Sequence, residues 1–427
     1  MFDYSIVQLA RRKAQQLDRE MRRNLVRLYH PFRKVPCFLH RPLDALTKRL
    51  KKLPVIVEFE RDVYIAGLSE VKAIKAKIRH TYPRVACCSA KLSIKAIENL
   101  LENGSHIKKI HFDRKINALL DVASPSLNVP PLNKTGLTGK GVTVAVVDTG
   151  IYDHPDLNGR IIGFKDFVKN KTDPYDDNGH GTHCAGDIAG DGTASGGKYK
   201  GAAPEANLIG VKVLNQLGSG SLSTVMAGVD WCIKNKSEYG IDVISMSLGS
   251  DATQSAADDP MVKVVEKAWD SGIVVCVAAG NSGPEAKTIG SPGTSPKVIT
   301  VGAMDDQNTP DRSDDKVADF SSRGPTIDGV TKPDVLTPGV NIISLRSPGS
   351  MLDKTMKKNR VDEDYFSLSG TSMATPICAG VTALILQNNP NLSPDEVKVR
   401  LISGAEDWGL DPNTQGYGYV DAMRSID

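Results

Sequence analysis

Three residue types that together can break an acyl bond stand far apart in this chain: Asp148, His180 and Ser372. A hydroxyl becomes a nucleophile when a base takes its proton, and an imidazole does this best when a carboxylate fixes its tautomer and offsets its gained charge. Asp148 ends the apolar run Val142-Thr-Val-Ala-Val-Val-Asp and precedes Thr149-Gly150; polar residues at the carboxyl ends of parallel strands face the functional crevice. His180 lies in Asp176-Asp-Asn-Gly-His-Gly-Thr-His183, where a glycine turn opens a helix. Ser372 lies in Ser369-Gly-Thr-Ser-Met-Ala-Thr-Pro376, ahead of the apolar run Ile377–Gln387. Its oxygen should fall near the free amides and positive end of a buried helix. Each also has a plainer explanation: Asp148 as a helix cap or ribose-binding acid, His180 and His183 as metal ligands at i, i+3, Ser372 as a cap. The metal alternative lacks an HExxH pattern or a nearby carboxylate ligand, and the serine is not in a GxSxG elbow. Together the three residues supply an orienting acid, a base and a nucleophile, in the order Asp, His, Ser.

The elements that must hold them follow from hydrophobic patterning. Val142–Asp148, Leu208–Leu214, Ile241–Ser247, Ile273–Ala279 and Val298–Ala303 are near-continuous apolar runs, as strands covered on both faces must be. Helical stretches at His180–Ile188, Ser221–Lys234 and Pro260–Ser271 fall between them. This alternation predicts right-handed βαβ crossovers and a mainly parallel buried sheet in a three-layer α/β domain over 141–427. Ahead of it, 53–120 reads as a small α+β, ferredoxin-like domain: strands Pro54–Phe59, Val85–Leu92 and Ile107–Phe112, helices Ser69–His80 and Ser93–Leu101, with Ser93 as a cap. Residues 1–52 read as a basic helical extension, with Leu17, Met21, Leu25 and Leu28 at helical spacing, and 121–140, rich in Pro, Asn and Gly, as a linker.

At 427 residues, 40 % hydrophobic and 24 % charged, the chain has the composition of a globular protein of two or three domains. The net charge of +3 hides an asymmetry: 1–140 carries 28 Lys+Arg against 12 Asp+Glu, a balance of +16, and 141–427 carries 25 against 38, a balance of −13. A nucleic-acid partner is not expected, because the basic part has no recognition helix or interleaved aromatics. Seven cysteines without a CxxC pair suit a reducing compartment better than a disulfide framework. Met1–Leu17 contains Asp3, Arg11, Arg12 and Lys13 and does not read as a secretory leader, and the longest apolar runs are too short to span a bilayer. The expectation is a cytoplasmic protein with no membrane partner.

The segments Val-Ala-Val-Val-Asp148-Thr-Gly, Asn-Gly-His180-Gly-Thr-His-Cys-Ala-Gly, Ser-Met-Ser-Leu-Gly249, Ala-Ala-Gly-Asn281-Ser-Gly and Gly-Thr-Ser372-Met-Ala-Thr-Pro follow one another between Asn128 and Met423. They resemble the successive signature motifs of subtilisin-like serine proteases, and the layout looks most like the leaderless, AprX-type members. The resemblance implies an endopeptidase working through an acyl-enzyme. Ser372 is then the nucleophile, His180 the base and later the acid, and Asp148 its orienting partner. The side-chain amide of Asn281 and the Ser372 N–H are then the oxyanion donors.

The same resemblance implies that Gly218, Ser219 and Gly220, with Ser247, Leu248 and Gly249, pair with an extended peptide. Ala278, Ala279 and Gly280 should line the pocket for the residue before the scissile bond, and their small size implies broad specificity favouring large hydrophobic residues. Polypeptides are the implied partners, with no cofactor needed for the chemistry. Asp156 matches one ligand of a structural calcium site in the family, but Gly190–Gly201 replaces the loop that completes it and offers one carboxylate, Asp191. Ser291-Pro292 matches a position with a cis proline. Segment 53–120 is similar to the family's propeptide, which implies a self-processing precursor, cut near Leu119 or Leu120, with its own prodomain as a second partner. Arg346–Asp364 is longer than the family pattern and carries Lys354, Lys357, Lys358 and Arg360, as a solvated loop or as a flap bordering the cleft. From another functional class, a non-catalytic peptide-binding module on the same fold is disfavoured because all four catalytic positions are filled.

Overall fold

A computed structural model describes residues 5–17, 19–29, 32, 40–74, 76–82, 86–112 and 120–426, and the chain divides into two compact units, Met1–Ile116 and Asn117–Asp427. In the first unit β1 (Lys52–Phe59), β2 (Lys77–Tyr82), β3 (Cys87–Ser93) and β4 (Ile107–Phe112) form an antiparallel sheet in the order β2-β3-β1-β4. With it go helices α1 (Ser5–Arg12), α2 (Arg19–Tyr29), α3 (His40–Leu50), α4 (Tyr64–Ala73) and α5 (Ile94–Asn103). Ser93 caps α5, its hydroxyl accepting the Ala96 amide at 3.1 Å, and Ile94, Ile97 and Leu101 are buried. Two sequence expectations need correction. The helix expected over Ser69–His80 stops at Ala73, and Lys77–Tyr82 is a strand, because pairing with β3 decides a short stretch of ambiguous propensity. Residues 1–52 are not a separate extension: Ile6, Leu9, Leu17, Met21 and Leu25 share one core with Val55, Val57 and Ile110.

The second unit begins with α6 (Leu120–Ser126) and α7 (Val129–Lys134). They occupy much of the stretch read as a linker, and Ala123, Val129 and Leu132 of the two helices, with Leu127 between them, belong to the unit's hydrophobic core. The sheet is built from β5 (Thr143–Asp148), β6 (Ile161–Asp166), β7 (Asn207–Lys212), β8 (Ile241–Met246), β9 (Val274–Ala278), β10 (Ile299–Asp305), β11 (Lys316–Val317) and β12 (Val335–Pro338). Its order is β11-β10-β9-β8-β5-β7-β6, with β12 parallel beside β10 and β11 the antiparallel member. β5 is buried at every position. β6, absent from the sequence reading, is a half-exposed edge strand without an apolar run.

Helices α8 (His180–Ala189), α9 (Leu222–Lys234), α10 (Lys236–Tyr239) and α11 (Pro260–Asp270) lie in the crossovers. A small antiparallel sheet of β13 (Ile342–Leu345), β14 (Arg360–Val361) and β15 (Tyr365–Leu368) frames α12 (Met351–Thr355). The longest helix, α13 (Thr371–Asn388), is buried from Met373 to Leu386 and packs on α8 and on β8, β9 and β10. Such a helix has no polar face, as its sequence requires. β5, α8 and α13 therefore carry Asp148, His180 and Ser372 at the end of a strand and in the first turns of two helices.

Candidate active site

Asp148 is the last residue of β5 and is fully buried. Its Oδ1 accepts the Thr149 amide at 2.7 Å and lies 2.8 Å from His180 Nδ1. His180 opens α8 directly after Gly179, whose φ of +107° favours glycine and where a Cβ would stand 2.7 Å from Ser350 Oγ. The turn before it is organised by a residue that sequence reasoning did not single out. Asp176 Oδ1 accepts the amides of Asn178 and Gly179 and the Thr149 hydroxyl, and its Oδ2 accepts the Thr182 amide and hydroxyl. A second one is Lys212, wholly buried at the end of β7 next to Asp148 in register. Its ammonium donates to Asp177 Oδ1 at 2.8 Å, to Leu214 O at 3.0 Å and to Thr149 O, joining the His180 turn to the strand ends. The Asp-Asp-Asn-Gly run before a helix was the readable signal for Asp176; a lone lysine in an apolar run gave little for Lys212.

Burial disfavours charge on the His180 ring, but the Asp148 carboxylate outweighs it and holds the imidazole well above the usual histidine range. Ser372 lies in the first turn of α13, where helix amides lack partners within their own helix. Its hydroxyl donates to Ser247 O at 3.2 Å. Asn281 is oriented from the same turn: its Oδ1 accepts both the amide and the hydroxyl of Thr371, at 2.9 and 3.0 Å, which leaves Nδ2 as the end turned elsewhere. An ideal Cβ on Gly370 would lie 3.4 Å from that Nδ2 and 3.6 Å from Ser372 N, so the two donors flank one small space.

His180, Ser372 and Asn281 line one open cleft of about 710 Å³. Gly218, Ser219 and Gly220 line it, as do Ser247, Leu248 and Gly249, and Ala278 and Gly280 complete the expected set. Ala279 does not: it is fully buried, its amide bonded to Val301 O at 3.0 Å, because successive side chains leaving a strand alternate in direction. The Ser291–Pro292 bond is cis, as matched from sequence, and both residues line the cleft. Among the described lining residues Asp251 is the one carboxylate, and it is exposed.

With this geometry the comparisons with known proteins agree. The sequence profile of the Subtilase family matches residues 139–419. The chain belongs to that family. It is 54 % identical to the serine protease AprX of Bacillus subtilis (strain 168), covering 100 % of this chain and 99 % of that one. It is 37 % identical to subtilisin E of the same organism, over 77 % of this chain and 78 % of the relative. The crystal structure of a cold-adapted subtilisin-like serine proteinase matches with a TM-score of 0.51 at 36 % identity, covering 66 % of this chain and 88 % of that one. The subtilase described here is thus a subtilisin-like serine endopeptidase that acts on polypeptides. No helix among its described residues is long and apolar enough to cross a membrane.

The metal alternatives fare differently. His183 is not paired with His180: its Nδ1 faces Asp187 at 3.0 Å and its Nε2 faces the carbonyls of Ile342 and Phe366, both at 3.1 Å. Among the described residues one group has ligand-like spacing, Asp148, His180 and Cys184. Burial pushes the Cys184 thiol up to about 11, so it stays protonated and is a poor ligand. Asp156 does not fit a calcium cage. Its Oδ1 accepts the Ala194 amide at 2.7 Å and its Oδ2 the Tyr365 hydroxyl at 2.6 Å. The carbonyls of Asp156 and Ala189 accept from the guanidinium of Arg160, which also lies 3.7 Å from Asp191. A fixed cation of the chain already sits among these oxygens. Leu119 lies outside the described residues, as does the side chain of Leu120.

A histidine that works as a base must start neutral, so if His180 is that base, kcat/KM should fall on the acid side through its pKa, with a midpoint above the ordinary histidine value of 6.5. Asp148→Asn removes the charge that favours the imidazolium, so it should move this midpoint to lower pH and cut kcat by about 10⁴-fold. A pH–rate profile with a wild-type midpoint at or below 6.5 contradicts the assignment.

Proposed function

We propose that Asp148, His180 and Ser372 act as the catalytic triad. The observation that carries this reading is the 2.8 Å contact between buried Asp148 and His180 on the cleft that also holds Ser372. The Ser372 hydroxyl rotates from Ser247 O to His180 Nε2, gives up its proton, and attacks the peptide carbonyl. The developing oxyanion is met by Asn281 Nδ2 and the Ser372 amide, aided by the positive end of α13. His180 then passes the proton to the leaving amine, and water, activated by the same imidazole, releases the acyl group. All these steps are assigned to groups of the chain.

The substrate lies extended between 218–220 and 247–249, held by main-chain hydrogen bonds. The residue before the scissile bond enters the pocket walled by Ala278 and Gly280, whose small, uncharged surfaces support a preference for large hydrophobic side chains. The basic N-terminal part serves as an inhibitor-like propeptide and is removed by self-cleavage near Leu119 or Leu120. The opposite charges of +16 and −13 support this, since complementary fields steer association. Cys88, Cys184, Cys232, Cys276 and Cys378 are buried free thiols, which supports synthesis in the reducing cytoplasm.

Asn281→Leu should lower kcat by about 10²–10³-fold with KM nearly unchanged, as the loss of one oxyanion donor does; an unchanged kcat removes Asn281 from the reaction. Peptides with Phe or Leu before the cut should outpace those with Lys or Arg in initial-rate assays, and strict basic preference would refute the pocket assignment. Intact mass spectrometry should find wild type shortened near Leu120 and Ser372→Ala at full length. A full-length wild type defeats the maturation proposal.

A further inference from the structure

The insertion at 346–364 is not a loose loop. Asp353, 4 % exposed, accepts from Arg346 Nε at 2.7 Å, Arg360 Nε at 2.6 Å and the Gly349 amide at 2.9 Å, so one carboxylate ties the two limbs of the insertion together. Burial opposes its charge, but the Arg346 guanidinium, the Gly349 amide and Arg360 hold it down at about 2, which keeps the clasp ionised wherever the enzyme works. The Arg346 amide closes the base of the insertion on Asp364 O at 2.9 Å, and β14 pairs with β15.

This clasp is stitched to the turn that presents His180. Ser347 Oγ donates to Asp176 O at 2.7 Å, Met351 N to Asp177 O at 2.9 Å and Leu352 N to Asn178 O at 3.0 Å, three successive carbonyls. An ideal Cβ on Gly179 would lie 3.7 Å from Leu352 Cβ. Leu352 thereby lines the cleft beside Asn178 and His180, while Lys354, Lys357 and Lys358 stay exposed.

An extended peptide turns successive side chains to opposite sides. When the residue before the scissile bond fills the pocket at Ala278 and Gly280, the side chains flanking it turn away from that pocket, and Leu352 lines the same cleft beside His180. We infer that Leu352 is a specificity-determining residue, an apolar wall presented by the 346–364 clasp to a substrate side chain flanking the one in the pocket, with aliphatic residues favoured there over small ones. The inference rests on the endopeptidase reading and adds a second point of selection to it.

Wild type, Leu352→Ala and Leu352→Phe, each produced from the whole 427-residue sequence, are compared on internally quenched peptides, with Phe fixed before the cut and each flanking position varied. Leu352→Ala is expected to lose about ten-fold of the kcat/KM preference for Leu over Ala at one flanking position. Leu352→Phe should shift preference at that position toward smaller side chains, and neither should change the ranking at the pocket position. Leu352 is only part-buried, so both variants should unfold at the wild-type temperature. A uniform loss across the panel, or an unchanged ranking at both flanking positions in Leu352→Phe, overturns the inference. A wild type that cleaves no peptide overturns the endopeptidase reading and this inference with it.

Discussion

A carboxylate taken wholly out of water must be paired, and the pairing of Asp148 with His180 is the constraint around which the second unit is arranged. The ring that supports the buried charge must stay partly open to the cleft, so the strand end and the helix start have to meet at the floor of a crevice. Asp176 and Lys212 serve that meeting. One gathers the amides of the turn before His180, and the other ties that turn to the carbonyl after Asp148. Both are buried, and both are satisfied by partners from more than one segment. Neither touches the cleft's contents, so each is a positioning group whose work is to remove freedom from the imidazole.

Opposite this pair, the buried helix α13 brings its positive end to the same crevice. Thr371 shows how closely the two sides are fitted: its amide and hydroxyl hold the carbonyl end of Asn281, and its hydroxyl also accepts the Gly280 amide at 3.3 Å. The wall of the pocket and the amide beside Ser372 are thus set by one side chain. This is an economical use of a helix N-terminus, whose free donors would otherwise need solvent.

Asp148, His180, Asn281 and Ser372 were legible in the sequence because each must sit in a tight local pattern, a strand end, a glycine turn or a helix start, that leaves a mark within a few residues. The buried parallel strands were legible for the same reason. What escaped depends on distant partners. Lys77–Tyr82 becomes a strand through β3, and 120–134 joins the core through side chains that look like isolated apolar residues in a Pro-rich stretch. Ala279 was placed one residue too generously, since a motif does not show which way alternation turns the last side chain. The clasp at Asp353 links residues on two limbs of an insertion, and the sequence showed only an excess of charge there.

Arg160 extends this point. Its guanidinium reaches the carbonyls of residues 156, 189 and 206 and approaches Asp191, so it gathers separate stretches of chain around one positive centre. A positive centre that is covalently part of the polypeptide cannot be chelated, diluted or displaced by a competing ion. This corner of the molecule is therefore held by a positive centre that the chain itself supplies, at a stoichiometry of one per chain from the moment of synthesis.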